Sequence, residues 1–226
     1  AKNLLKSEDV IASINAVKKL GIKVITKKNT CKIFGKGING YKYKKNLIIN
    51  AQNSGTLGRL ILGLIIDTPY PIKVIGDNSL SKRDFKRIAD PLTKFGAKFK
   101  LKNKLTLPLT IKGSSKLRSI NYLEKKGSAQ CKSAVILGAL KSDGETTIKA
   151  KKSRNHTELL CKYLNIPIKV YSKKNYDYIK IKKTTRIDKL DYNIPSDISS
   201  SAFFIVLTAL SKNSKLTIKN VNINPT

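Results

Sequence analysis

Residues 127–140 read "GSAQCKSAVILGAL". A glycine, a serine, an alanine and a glutamine open a segment that then becomes apolar nearly all round, as a buried helix is. Ser128 or Gly127 can cap that helix. The free N–H groups of its first turn can also hold an anion, with Ser128 and Gln130 selecting which one. Two other stretches share this form, "NSGTLGRLILGLI" from Asn53 and "SDISSSAFFIVLTAL" from Ser196, and Leu62, Leu137 and Leu207 fall 75 and 70 residues apart at matching places. All three are expected to be buried helices.

A second helix family alternates with the first. "SEDVIASINAVKKLGIKV", "SKRDFKRIADPLTKFGAKF" and "SRNHTELLCKYLNIPIKV" begin at Ser7, Ser81 and Ser153, 74 and 72 residues apart. Each pairs a serine N-cap with a polar first turn and apolar residues at helical spacing. Each ends on a residue suited to the left-handed position after a helix (Gly21, Gly96, Asn165), followed by a short β-like run. Strands are predicted at "NLIIN", "PIKVIG", "TLPLTIKG", "ETTIKA", "YDYIKIK" and "KLTIKNV". The chain is therefore α/β, built from a unit of about 72 residues with two helices and several strands. It opens in what reads as a strand and stops near Asn224, where the next helix of the second family is due, and it holds no methionine. That pattern is expected of a piece of a longer repeat protein.

Composition narrows the function. No apolar run approaches the ~18 residues of a membrane span. "AKNLLKSEDV" lacks the apolar region and cleavage site of a signal peptide. Cys31, Cys131 and Cys161 are distant and odd in number, which fits reduced thiols in a cytoplasmic protein without a metal site. The formal net charge of +32 invites a nucleic-acid reading, but 40 of the 46 basic residues are lysines spread along the chain. Aromatic residues do not interleave with them as a base-stacking platform requires, so no specific nucleic-acid partner is expected.

Against that lysine background the six arginines stand out: Arg59, Arg83, Arg87, Arg118, Arg154 and Arg186. A planar fork that grips carboxylate or phosphate is poorly replaced by lysine. Arg59, Arg83 and Arg154 lie in or near predicted helix starts. One anion contact at a helix N-terminus contributes ~0.3–2 kcal/mol, whereas micromolar binding needs ~8 kcal/mol. Several helix ends must converge, and the expected ligand is a small polyanion. Glu8, Asp9, Asp90 and Glu158 read as solvated helix-face or turn residues, and His156 as a structural or surface residue.

"NSGTLGR", "GDNSLSKR", "GSAQCKSA", "SRNHTE" and "DISSSAFF" occur in that order, and together they resemble the 5-enolpyruvylshikimate-3-phosphate synthase family through essentially the whole chain. "SAQ" followed by "KSA", with "SRNHTE", is closer to that family than to its relative acting on UDP-N-acetylglucosamine. A non-enzymatic basic repeat protein that binds polyanions is the competing class. The resemblance implies two lobes, each of three βαβαββ units, with substrates between them. Residues 1–195 would form most of one lobe and residues 196–226 the start of the return to the other. The implied reaction moves the enolpyruvyl group of phosphoenolpyruvate to the 5-hydroxyl of shikimate 3-phosphate, in a cytoplasmic enzyme of aromatic amino acid biosynthesis. It implies no cofactor, no metal, no membrane partner, and a monomer when complete.

By the same resemblance, Gly55, Arg83, Gln130 and Asn53 would face phosphoenolpyruvate. Ser128, Ala129, Gln130, Ser153 and Arg154 would face shikimate 3-phosphate, and Arg59 would support them. Asp197 would mark the crossing between lobes. No catalytic residue is assigned, because the family's opening Lys-Ser…Arg motif and its second-lobe groups are not in this chain. Asp84 stands where the family commonly has proline, Ala129 where some relatives have serine, and Gly55 where glyphosate-insensitive relatives often have alanine. The intact enzyme is therefore expected to be glyphosate-sensitive, and this chain alone to bind without turnover.

Overall fold

The computed structural model describes residues 1–222 and 224. The chain divides into two compact units, Ala1–Asp188 and Lys189–Thr226. This division lies seven residues before the 195/196 boundary expected from the resemblance.

In the first unit, helix α1 (Glu8–Lys19) precedes a hairpin of β1 (Lys23–Lys27) and β2 (Thr30–Phe34). Then follow β3 (Ile48–Asn50), α2 (Gly55–Leu64), β4 (Ile72–Ile75), a 3₁₀ turn at Leu80–Lys82, α3 (Lys86–Lys94), β5 (Lys98–Lys102) and β6 (Thr106–Lys112). The same succession repeats as β7 (Asn121–Glu124), α4 (Ala129–Ala139), β8 (Glu145–Lys151), α5 (His156–Tyr163), β9 (Ile168–Lys173) and β10 (Tyr176–Lys182).

The two repeats have one topology. Their sheets are ordered β3-β4-β6-β5 and β7-β8-β10-β9. In each, the first two strands are parallel across a helix and the last two close an antiparallel hairpin. This is the βαβαββ unit, and α1-β1-β2 is the closing half of another. Strand burial alternates, with Ile72 and Val74, Leu107, Leu109 and Ile111, Ile148 and Ala150, and Ile179 and Ile181 turned inward. Each four-stranded sheet thus covers the core with one face and meets solvent with the other.

The helix stop signals hold: Gly21, Gly96 and Asn165 take φ of +84°, +117° and +54°. The start signals hold only in part. Ser7, Ser54 and Ser128 accept backbone N–H groups from Val10, Leu57 and Cys131. Ser81 instead lies in the 3₁₀ turn, and α3 begins five residues later, where Asp84 Oδ1 accepts the Arg87 N–H at 3.3 Å. Ser153 does not cap α5 either; Asn155 stands at that position, without a side-chain cap bond. In both cases irregular backbone sits between strand and helix and moves the helix start past the serine.

Other expectations change as well. The N-terminal residues form no regular strand, but Leu4 N–H donates to Asn29 and Cys31 N–H to Ala1, so they run beside the β1–β2 turn. β2 and β7 lie outside the expected strand set. In the second unit, α6 (Ile198–Leu210) has no buried residue, and Phe203, Leu207 and Leu210 are exposed. The apolar sequence of α6 suits burial, but among the described residues its own unit holds no other helix or strand to pack on it. Residues 215–221 form no strand; among the described residues, the bridge between Ser196 and Val221 is the only pairing there.

The core centres on α2 and α4, which run parallel and side by side. Thr56 and Arg59 meet Gln130, and a turn further on Gly63 lies against Ala134 and Leu137. A Cβ on Gly63 would come within 2.3 Å of the Ala134 carbonyl oxygen, so glycine is required by the closeness of the two backbones. Gly63→Ala is expected to destabilise the fold by about 1–3 kcal/mol, read as a lower urea midpoint with an unchanged m-value; an unaltered midpoint would refute this packing.

Candidate anion site at the paired helix starts

Parallel packing brings the N-termini of α2 and α4 to the same end of the core, so two positive dipole ends adjoin. Small residues keep them open: Ser54 and Gly55 begin one helix, Ser128 and Ala129 the other. A Cβ built on Gly55 would lie 2.9 Å from Arg59 Nη1 and 3.2 Å from Arg83 Nη1, so two guanidinium groups crowd this glycine. Arg59 Nη1 donates to Gln130 Oε1 at 2.6 Å, and Gln130 Nε2 donates to Thr56 Oγ1 at 3.1 Å. Gln130 is thereby clamped between the helices.

Arg59 is buried, with its guanidinium 5.4 Å from the centre of the Phe85 ring. Burial lowers its pKa, and the neighbouring charges of Arg87 and then Arg83 lower it further. The Nε atoms of Arg59 and Arg87 are buried without a hydrogen-bond partner, and none of the three arginines is in an ion pair among the described residues. Positive charge gathered without carboxylate partners favours an anion there. Asp84 does not neutralise it by a direct ion pair; its carboxylate caps α3.

Asn53 donates through Nδ2 to Asp77 Oδ2 at 2.5 Å, and the Leu80 N–H donates to Asp77 Oδ1 at 2.7 Å. These bonds, the Leu80 one first, hold the Asp77 carboxyl below the usual carboxylate range. Asn53 and Asp77 also line an open groove of about 790 Å³ beside α1.

The other expected residues gather across α4. A Cβ on Gly127 would lie 3.5 Å from the Lys152 carbonyl oxygen, and Ser133 and Thr157 hydroxyls are 2.7 Å apart. The Ser153–Arg154 segment therefore runs beside the start of α4. Ser153 Oγ is buried without a hydrogen-bond partner, whereas Arg154 is exposed. Asp197 belongs to the second unit, where it caps α6. The Ser200 hydroxyl and then the Ser199 N–H lower its pKa.

The sequence reading missed three participants. Arg87 joins the arginine group, Thr56 holds Gln130, and Lys132 is fully buried in α4. Lys132 Nζ lies 2.7 Å from Glu158 Oε1 and 3.9 Å from Asp177 Oδ2, so Glu158 is a buried charge and not the solvated residue expected. The scarcity of arginine was a signal for Arg87. A lysine inside an otherwise apolar helix, four residues after its cap, was the available signal for Lys132. Among the described residues, no three His, Cys, Asp or Glu side chains gather as for a metal ion, and no helix is long and apolar enough to cross a membrane.

A profile described as EPSP synthase (3-phosphoshikimate 1-carboxyvinyltransferase) matches residues 1–226. A 3-phosphoshikimate 1-carboxyvinyltransferase of Caldicellulosiruptor bescii is 40% identical over 228 residues, covering 100% of this chain and 52% of that protein. One of Leuconostoc mesenteroides is 37% identical over 225 residues, covering 99% of this chain and 51% of that protein. A 2.37 Å structure of EPSP synthase from Acinetobacter baumannii superposes with a TM-score of 0.84 at 33% identity, covering 98% of this chain and 49% of the other. The fold is that of an enolpyruvyl transferase over about half of its length. This chain belongs to the EPSP synthase family, and it spans about half the length of the curated relatives it matches.

Burial raises the pKa of the Cys131 thiol. Burial, and then the Glu158 carboxylate, push that of Cys161 up to about 11. Both thiols are then neutral at pH 7, and the thiolate is the reactive form. Alkylation of the native chain by iodoacetamide, followed by mass spectrometry, is expected to be slow at both sites and to keep accelerating above pH 9. A rate at Cys161 that levels off near pH 8.5 would contradict this.

Proposed function

We propose that this chain supplies one lobe's substrate contacts in a 3-phosphoshikimate 1-carboxyvinyltransferase, a cytoplasmic enzyme that is monomeric when complete. In this reading residues 1–195 are most of that lobe and residues 196–226 begin the return to the other. The enzyme transfers the enolpyruvyl group of phosphoenolpyruvate to the 5-hydroxyl of shikimate 3-phosphate and releases phosphate. The observation that carries the proposal is the meeting of Gly55, Arg59, Arg83 and Gln130 at two adjoining helix N-termini, in a member of this family.

Each residue has a physical task. Arg83, exposed and outside any ion pair, grips the carboxylate or phosphate of phosphoenolpyruvate. Gly55 gives that anion room at the start of α2, and Asn53 shapes the wall beside it. Arg59 supplies a buried positive charge behind the site and holds Gln130, which lies between the two substrates. Ser128 and the first turn of α4, with Ala129 leaving the backbone open, seat the shikimate phosphate, and Ser153 and Arg154 close around it. These groups bind, orient and neutralise charge; the proton transfers are assigned to none of them.

Two experiments bear on this reading. In amide NMR of the labelled chain at about 0.15 M salt, shikimate 3-phosphate is expected to shift Ser128, Gln130 and Arg154 saturably and more strongly than shikimate or inorganic phosphate does. Equal responses to inorganic phosphate would reduce the site to a general anion sink. In the full-length enzyme, Gly55→Ala is expected to weaken glyphosate inhibition, because its methyl group displaces Arg59 and Arg83. Inhibition unchanged by the substitution would count against the assignment.

A further inference from the structure

Resting on that reading of the phosphate seat, we propose that Lys132 is its positioning residue, tethering the Ser153–Arg154 segment to the first turns of α4. Ser153 and Arg154 lie in irregular backbone between the end of β8 and the start of α5, so no ladder or helical bond fixes them. Lys132 Nζ donates to the Ser153 carbonyl oxygen at 3.3 Å, and its 2.7 Å contact with Glu158 holds the first turn of α5 as well. Asp177 of β10, 3.9 Å from the same ammonium, is itself fixed by the Ser172 hydroxyl at 2.6 Å. One ammonium thus connects α4, the segment, α5 and the sheet.

The sequence shows why this matters for the site. Lys132 belongs to "GSAQCKSA" and Glu158 to "SRNHTE", the two motifs whose other residues are assigned to phosphate. Neither Glu158 oxygen accepts an aligned hydrogen bond, so its compensation comes from the charge of Lys132. Arg154 is exposed and in no ion pair among the described residues. Its position relative to Ser128 is set by the tether, and losing one charge-assisted bond to the phosphate weakens a ligand by about tenfold.

Lys132→Met alone would strand a buried carboxylate and endanger folding. The decisive variant is therefore the double replacement Lys132→Met/Glu158→Leu, with Glu158→Gln alone, which keeps the bond to Ser153, as a second. Two readouts are made by NMR on each chain. Without ligand, the order of the Ser153 and Arg154 amides is followed by backbone relaxation. With ligand, Kd for shikimate 3-phosphate and for inorganic phosphate is measured. We expect the double variant to remain folded, lose the order of the Ser153 and Arg154 amides, bind shikimate 3-phosphate about tenfold more weakly, and lose the Arg154 shift while keeping that of Ser128. Glu158→Gln is expected to stay within about threefold of the unaltered chain, as the fold-change for less than 1 kcal/mol. A double variant that keeps those amides ordered, or loses their order with unchanged affinity, overturns the tether. An unaltered chain with no response selective for shikimate 3-phosphate overturns the reading of the site itself, and the ligand-free order of the two amides then still decides whether Lys132 holds the segment.

Discussion

The structure depends on how closely α2 and α4 can approach. Gly63 against the Ala134 carbonyl lets two nearly apolar helices pack with their backbones in contact, and the sheets then close over them. Because the helices run parallel, the same contact brings both N-termini to one end. Antiparallel packing would bury as much apolar surface but would separate the two dipole ends. The candidate anion site is thus a by-product of the core geometry, which explains why its residues sit on the buried helices α2 and α4.

Charge is organised around that end in two different ways. On the α2 side, Arg59, Arg83 and Arg87 gather without ion pairs among the described residues, so the charge there has no internal partner and favours an external anion. On the α4 side, the positive charge of Lys132 is spent internally on Glu158 and Asp177. The first arrangement suits recruitment of a ligand and the second suits the holding of backbone. In a chain of net charge +32, this difference in partnering, and not the amount of charge, distinguishes the two groups.

The repeat was legible in the sequence because its signals are local. The spacing of the serine-led helices, the left-handed residues Gly21, Gly96 and Asn165, and the alternating strands all follow from bonding within a few residues. Local signals also misled. Ser81 and Ser153 have the form of caps, but irregular backbone after the preceding strands delays both helices. Glu158 has the form of a surface residue, but the fold turns it onto a buried lysine. The apolar length of α6 says only that it suits burial; whether a partner surface covers it depends on residues outside its own unit.

What the sequence determined by itself was the unit, its order and the chemistry available at each helix start. Gly55, Ser128, Gln130 and the arginines could be named because glycine permits close approach and guanidinium grips anions wherever they occur. Which of them stand together was decided by tertiary structure alone. The contacts of Arg59 with Gln130 and of Lys132 with Ser153 span 71 and 21 residues, and no local preference encodes such a pairing. It follows from the direction in which two helices pack, a property of the folded core.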